Sequence, residues 1–132
     1  MQFLPKTRGE RIRLAVLALL LVGVGAFYRL DRVAAYYLSD KAEGDVLFQS
    51  LPRQDLVDAI EVISQSAWSH CGILVRRDGR WYVAEAIGEV RLTPLHLWVV
   101  RGRRSIVVSY RLKDPSVLRA DLLHAGIEEF LG

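Results

Sequence analysis

The chain has 132 residues, 52% of them hydrophobic and 25% charged, enough for one globular domain at most. Its single cysteine excludes an internal disulfide framework. The formal net charge of +3 includes Lys6, Arg8, Arg11 and Arg13 of an N-terminal flank, so it is no argument for nucleic acid, and no nucleic-acid partner is expected.

Leu14 to Tyr28 is an uncharged apolar run behind that basic flank, the pattern of a signal peptide or a short membrane anchor. The run is shorter than the roughly 20 residues that cross a hydrocarbon core, although Arg13 and Arg29 can snorkel at its ends. Val24-Gly25-Ala26 is a tolerable cleavage site, but Leu30 to Leu38 continues as helix without a break. The favoured reading is an uncleaved anchor or signal helix over residues 1–38, touching the membrane through residues 14–28. A cleaved export signal and a buried helix of a soluble domain are the alternatives. Anchor and signal both place the remainder outside a bacterial inner membrane, facing the periplasm or exterior, or exported.

Residues 39–44 are polar and read as a linker, and Asp45 to Gln49 as a short strand. Pro52 precedes a helix over Arg53–Gln65, where Leu56, Ile60 and Ile63 recur at helical spacing, and this helix is expected to lie across a sheet. Two apolar stretches follow, Ser69–Val75 and Trp81–Ala86, separated by Arg76-Arg77-Asp78-Gly79-Arg80. Asp-Gly between alternating runs predicts a tight hairpin. Glu89–Leu92 extends the sheet after Gly88. Thr93-Pro94 predicts a helix start, with Thr93 as cap and Leu95, Trp98 and Val99 on the apolar side. Ser105–Tyr110 reads as a β-branched strand. Asp114-Pro115 repeats the cap signal before a last helix with Leu118, Leu122, Ile127 and Phe130 facing the core. The order predicts an α+β fold: a small, mostly antiparallel sheet with packed helices, preceded by an N-terminal hydrophobic helix.

His70 and Glu85 are the residues chosen for chemistry. The hairpin lays their strands side by side, and a carboxylate on an apolar strand needs a partner. An imidazole within reach is one, its tautomer held by the carboxylate. Gly72, two along on the face of His70, leaves open space beside the ring. Strand alternation turns Cys71 to the opposite face, where it reads as a buried structural thiol rather than a nucleophile. Ser69, Ser105 and Ser109 are the candidate hydroxyl substitutes, Ser69 also displaced by alternation. His96 and His124 lie on separate helices with no Cys or Asp at ligand spacing, so no metal is assigned, and no cofactor. Arg101, Arg103 and Arg104 form a basic knot, either a solvated turn or a contact for an anionic polymer or membrane headgroups.

Gly44-Asp45-Val46-Leu47-Phe48-Gln49, Ser69-His70-Cys71-Gly72-Ile73, Glu85-Ala86-Ile87-Gly88-Glu89-Val90 and Thr93-Pro94-Leu95 resemble, in order and spacing, the circularly permuted papain-fold amidases of the YiiX/YaeF group among the NlpC-type cysteine hydrolases. The resemblance covers about residues 44–95. It implies a permuted papain-like half-fold over 44–132, His70 as general base, Glu85 as its orienting group, and amide or ester bonds of cell-wall peptides or lipid-like molecules as substrates. In that family the nucleophilic Cys follows the His and the acidic residue, in a Tyr-Cys-Ser type segment. No such segment occurs before Gly132, so the domain is expected to be C-terminally incomplete and inactive in this form. The alternative is a non-catalytic exported module that binds cell-wall peptide or lipid.

Overall fold

The computed structural model describes residues 7–132; Lys6 of the basic flank lies outside them. Helix α1 spans Arg8–Leu38 and begins at a capping box, with Thr7 and Glu10 satisfying each other's backbone N–H groups. At about 1.5 Å per residue it is long and apolar enough to cross a membrane, a property it shares with signal sequences. Its first two thirds are exposed, whereas Val33 and Tyr36 dock on the domain core.

Beyond α1 the described residues build a five-stranded antiparallel sheet in the order β4-β3-β2-β1-β5, with β1 at Val46–Gln49, β2 at His70–Arg77, β3 at Arg80–Ile87, β4 at Glu89–Pro94 and β5 at Val108–Tyr110. The expected α+β architecture is therefore present. Asp78 and Gly79 both take positive φ, 50° and 76°, the conformation a two-residue hairpin between right-twisted strands requires. That turn pairs Leu74 with Val83 and Ile73 with Ala84.

Alternation divides the core between the two faces. Leu47, Leu74 and Val83 meet Leu95, Trp98 and Val99 of helix α3 (Leu95–Arg101) on one face. On the other, Val75 and Ala84 meet Ile127 of helix α4 (Ala120–Phe130), with Ile73, Tyr82, Leu92 and Leu123 around them. Both α3 and the end of α1 cover the first face, so the candidate catalytic side chains lie between sheet and α3.

Several elements depart from expectation. Helix α2 (Asp55–Ser64) buries Val57, while Leu56, Val62 and Ile63 stay exposed, so its apolar stripe does not lie across the sheet. Thr93 does not cap a helix: it belongs to β4, and its hydroxyl turns to Glu85 instead. The strand expected from Ser105 shrinks to Val108–Tyr110, because Arg104 and Ser105 adopt positive φ, 59° and 52°, inside a 3-10 turn. Asp114-Pro115 opens a 3-10 turn at Pro115–Val117, with Asp114 accepting from Ser116 N–H, before α4 begins at Ala120. In α4, Ile127 is buried but Leu122 and Phe130 are exposed.

The buried Asp45 opens β1 and closes the far side of the sheet. It accepts from Arg111 Nε at 2.8 Å, Arg111 Nη2 at 2.9 Å and Ala42 N–H at 2.9 Å. Burial opposes its ionisation, but those donors outweigh it and hold the carboxyl below its usual range.

Candidate active site

His70 opens β2 and Glu85 lies on β3, and the hairpin puts both on the α3 face. His70 Nε2 and Glu85 Oε2 are 2.6 Å apart, with the His side chain one tenth exposed and the Glu side chain fully buried. Four further residues converge on the same carboxylate. Arg91, its cross-strand neighbour on β4, and Thr93, two residues along, approach Oε1. From α3, Trp98 Nε1 donates to Oε2 at 2.9 Å, and Arg101 grips both oxygens, Nη1 at 2.9 Å from Oε1. Trp98 and Arg101 are three apart in sequence, one turn of one helix face, which is why both reach one side chain.

Burial opposes the Glu85 charge, but the hydrogen bonds from His70, Arg101 and Thr93 and the Arg101 charge prevail, and the carboxyl sits far below the ordinary value of 4.5. An ionised carboxylate only accepts. His70 Nε2 must therefore carry the proton toward Glu85, so that in the neutral imidazole Nδ1 is the acceptor nitrogen. The ring also lies 6.1 Å from the Trp98 ring at an interplanar angle of 36°. The arrangement fixes both tautomer and orientation of an imidazole, which is what a general base requires.

Arg91, Thr93, Trp98 and Arg101 were not among the candidate residues. The sequence groups Arg101 with a basic knot, either a solvated turn or a contact for an anionic polymer or membrane headgroups; in the structure it pairs with the buried Glu85, and Arg103 Nη2 lies 2.9 Å and 3.1 Å from the two Glu61 oxygens. The available signal was the burial of Glu85 itself, which demanded more donors than one imidazole supplies.

Two expectations about β2 need correction. Gly72 leaves no open space: a Cβ there would run into Val83 Cγ1 and lie 2.9 Å from Ala84 O and 3.5 Å from Glu85 Cβ. The glycine lets β3 approach, and so brings Glu85 in. Cys71 lies on the opposite face, paired with Phe48 in register, but it is exposed rather than buried. Helix α4 covers Val75 and Ala84, further along the strands, and leaves the His70 end of β2 uncovered. An apolar groove of about 860 Å³ occupies that gap, with Phe48, Trp68, Cys71, Ile73, Leu122 and Phe130 in its walls and His70 and Glu85 at its margin.

Of the hydroxyls, Ser69 Oγ is committed to the β1–α2 connection, accepting from Leu51 N–H at 3.0 Å. The Ser105 side chain is buried without a hydrogen-bond partner among the described residues, and Ser109 is exposed on β5. His124 pairs with Glu43 at 2.7 Å on α4, and His96 is exposed on α3. Gln49, in register with His70, is fully buried with both side-chain amide atoms unpartnered, and its side chain fills the space a Cβ on Gly102 would need.

Comparison with known proteins places this geometry. The family model described as "Permuted papain-like amidase enzyme, YaeF/YiiX, C92 family" matches residues 40–129. The chain belongs to this permuted papain-like amidase family. It is 37% identical over 90 residues to "Uncharacterized protein YiiX" of Escherichia coli K12, a match covering 67% of this chain and 44% of that one. It also superposes on the crystal structure of "metalloprotein yiiX" from Escherichia coli O157:H7 with a TM-score of 0.64 and 32% identity, over 71% of this chain and 52% of that one. The chain thus spans about half the length of the relatives it matches. One of those relatives is described as a metalloprotein. Here no group of three or more His, Cys, Asp and Glu side chains converges among the described residues, and the Glu85 oxygens are already occupied by donors. The described side chains do not by themselves assemble a metal centre.

Proposed function

We propose that residues 44–132 carry the base-and-orienter half of a cysteine-amidase site, His70 acting as general base and Glu85 as its orienting group. The substrates are amide or ester bonds of cell-wall peptides or lipid-like molecules. The observation that supports this is the 2.6 Å contact between His70 Nε2 and an ionised, immobilised Glu85, which directs Nδ1 of the neutral ring away from the carboxylate. In such a site the imidazole takes a proton from a thiol, the thiolate attacks the carbonyl carbon, and the amine or alcohol leaves with a proton returned by His70. Water then releases the acyl group by the same base. The thiol among the described residues, Cys71, lies on the opposite face of β2 and takes no part in this reading.

The test is an active-site-directed electrophile together with an amide turnover assay on cell-wall peptides. No turnover is expected, and any labelling at Cys71 should be unaffected by His70→Ala. Turnover that Cys71→Ala abolishes would sink the assignment. Supplying the family's Tyr-Cys segment should create activity that depends strongly on His70 and less on Glu85.

A second reading, a non-catalytic module that holds cell-wall peptide or lipid, is favoured by the apolar groove beside the pair. Saturable binding of such a ligand, with no turnover even after the Tyr-Cys segment is supplied, would select it. In both readings residues 1–38 act as an inner-membrane anchor or signal helix that places the domain on the periplasmic or exterior side. A reporter fused after residue 40 should be active outside the cytoplasmic membrane; activity only inside would defeat this topology.

A further inference from the structure

Two of the three arginines in the knot after α3 remain outside the catalytic geometry. A depression of about 310 Å³ is walled by Arg53, Arg103 and Arg104, with Ser50 and Trp68 beside them. Arg103 spends one end of its fork on Glu61, while its Nη1 is shielded from solvent and has no partner among the described residues. Arg53 and Arg104 are exposed. The segment that carries Arg103 and Arg104 is strained, since Arg104 and Ser105 are consecutive non-glycine residues at φ 59° and 52°. It is pinned by α1, whose Arg32 Nη1 donates to Arg104 O at 2.7 Å. Of these guanidiniums only that of Arg103 bonds the Glu61 carboxylate, on which the Arg53 charge also acts. Forked, always-charged donors of this kind match a phosphate group better than any other common anion except a carboxylate.

The pin to α1 sets the depth of the cluster. Arg32 is four residues past Tyr28, about 6 Å along the helix axis from the end of the apolar run. A headgroup layer is roughly 5–7 Å thick on each side of the hydrocarbon. We infer that the Arg53–Arg103–Arg104 depression binds the phosphate of an anionic phospholipid headgroup, seating the domain against the membrane that α1 enters. This rests on the reading of α1 as a membrane helix.

The experiment titrates the full chain in neutral maltoside micelles with dioctanoyl phosphatidylglycerol, following tryptophan fluorescence, to which Trp68 in the depression contributes. Saturable binding is expected, with no comparable response to dioctanoyl phosphatidylcholine. The double variant Arg53→Gln/Arg104→Gln removes two exposed side chains, keeps the circular dichroism of the fold, and should bind about tenfold or more weakly. Equal binding by the variant would overturn the proposal at the arginines. An equal response to inorganic phosphate at the same concentration would overturn it in favour of a free-anion site. Release of the chain from native membranes by carbonate would overturn it through its membrane premise, a failure separable from the other two.

Discussion

Trp98 donates its indole N–H to Glu85 Oε2 at 2.9 Å, the same carboxylate oxygen that His70 Nε2 meets at 2.6 Å. The largest side chain of the core is thereby also a ligand of its buried charge. Packing and polar satisfaction are one structure here: α3 cannot shift on the sheet without stranding the carboxylate. A buried network whose carboxylate is paired on both oxygens rigidifies what it touches, and what it touches is the candidate base.

Removing Arg101 should expose that coupling. Arg101→Met leaves Glu85 buried with its bidentate partner gone, and breaking one side of a buried pair costs about 3–5 kcal/mol. The Arg101 side chain is 28% exposed, so solvent screening brings the expected loss below that range, to about 2–3 kcal/mol. Urea unfolding measures it, and a loss below about 0.5 kcal/mol would mean the pair is not held as described.

Acid should weaken the fold in a defined direction. The folded Glu85 carboxyl titrates below its ordinary value of 4.5, and folded Asp45 below 3.8. As pH falls, the unfolded chain takes up these protons first. The stability the two groups contribute is present above the ordinary carboxylate range and is lost as pH drops through and below it. The urea midpoint should be flat near neutrality and fall steadily below about pH 5. Glu85→Gln should flatten that descent, and an unchanged slope would count against it.

Gly72→Ala tests the close approach of β3. A methyl group there meets Val83 and lies 2.9 Å from Ala84 O, a contact the hairpin can relieve only by moving β3. Overpacking of this kind costs about 1–3 kcal/mol. The displacement should also loosen the His70–Glu85 contact, seen as a shift of the His70 ring resonances in NMR. A neutral substitution would show that the strands have room to spare.

Cys71 should react readily with a disulfide reagent in the folded state, because it lines an open groove. Folded and urea-unfolded chains should differ by less than about tenfold in rate, since burial rather than chemistry makes structural cysteines inert. Protection of several orders of magnitude would mean that the groove is closed in solution.

The hairpin and the contact of His70 with Glu85 were legible because the information is local: a two-residue turn and strict alternation determine register and face. The remainder of the site was not. Whether Trp98 and Arg101 reach Glu85 depends on the angle at which α3 crosses the sheet, and Thr93 offered an equally good local fate as a helix cap. Cys71 shows the same limit from the other side. Alternation assigns a side chain to a face but says nothing of whether another element covers it there. Leu56 and Ile63 of α2 were misjudged for that reason, their helical spacing marking an apolar stripe without marking a contact.

Every hydrogen-bonding partner of Glu85 comes from residues 70–101, at sequence separations of 6 to 16, whereas Arg111 must find Asp45 across 66. Short loops close quickly and at small entropic cost, so these contacts belong to the early part of the folding reaction. During synthesis they also emerge before β5 and α4 exist. A nascent chain stalled soon after Arg101 clears the exit tunnel already contains the hairpin, the helix and the charge they neutralise. The His70–Glu85 contact can thus serve as the seed on which the later strand and helix condense.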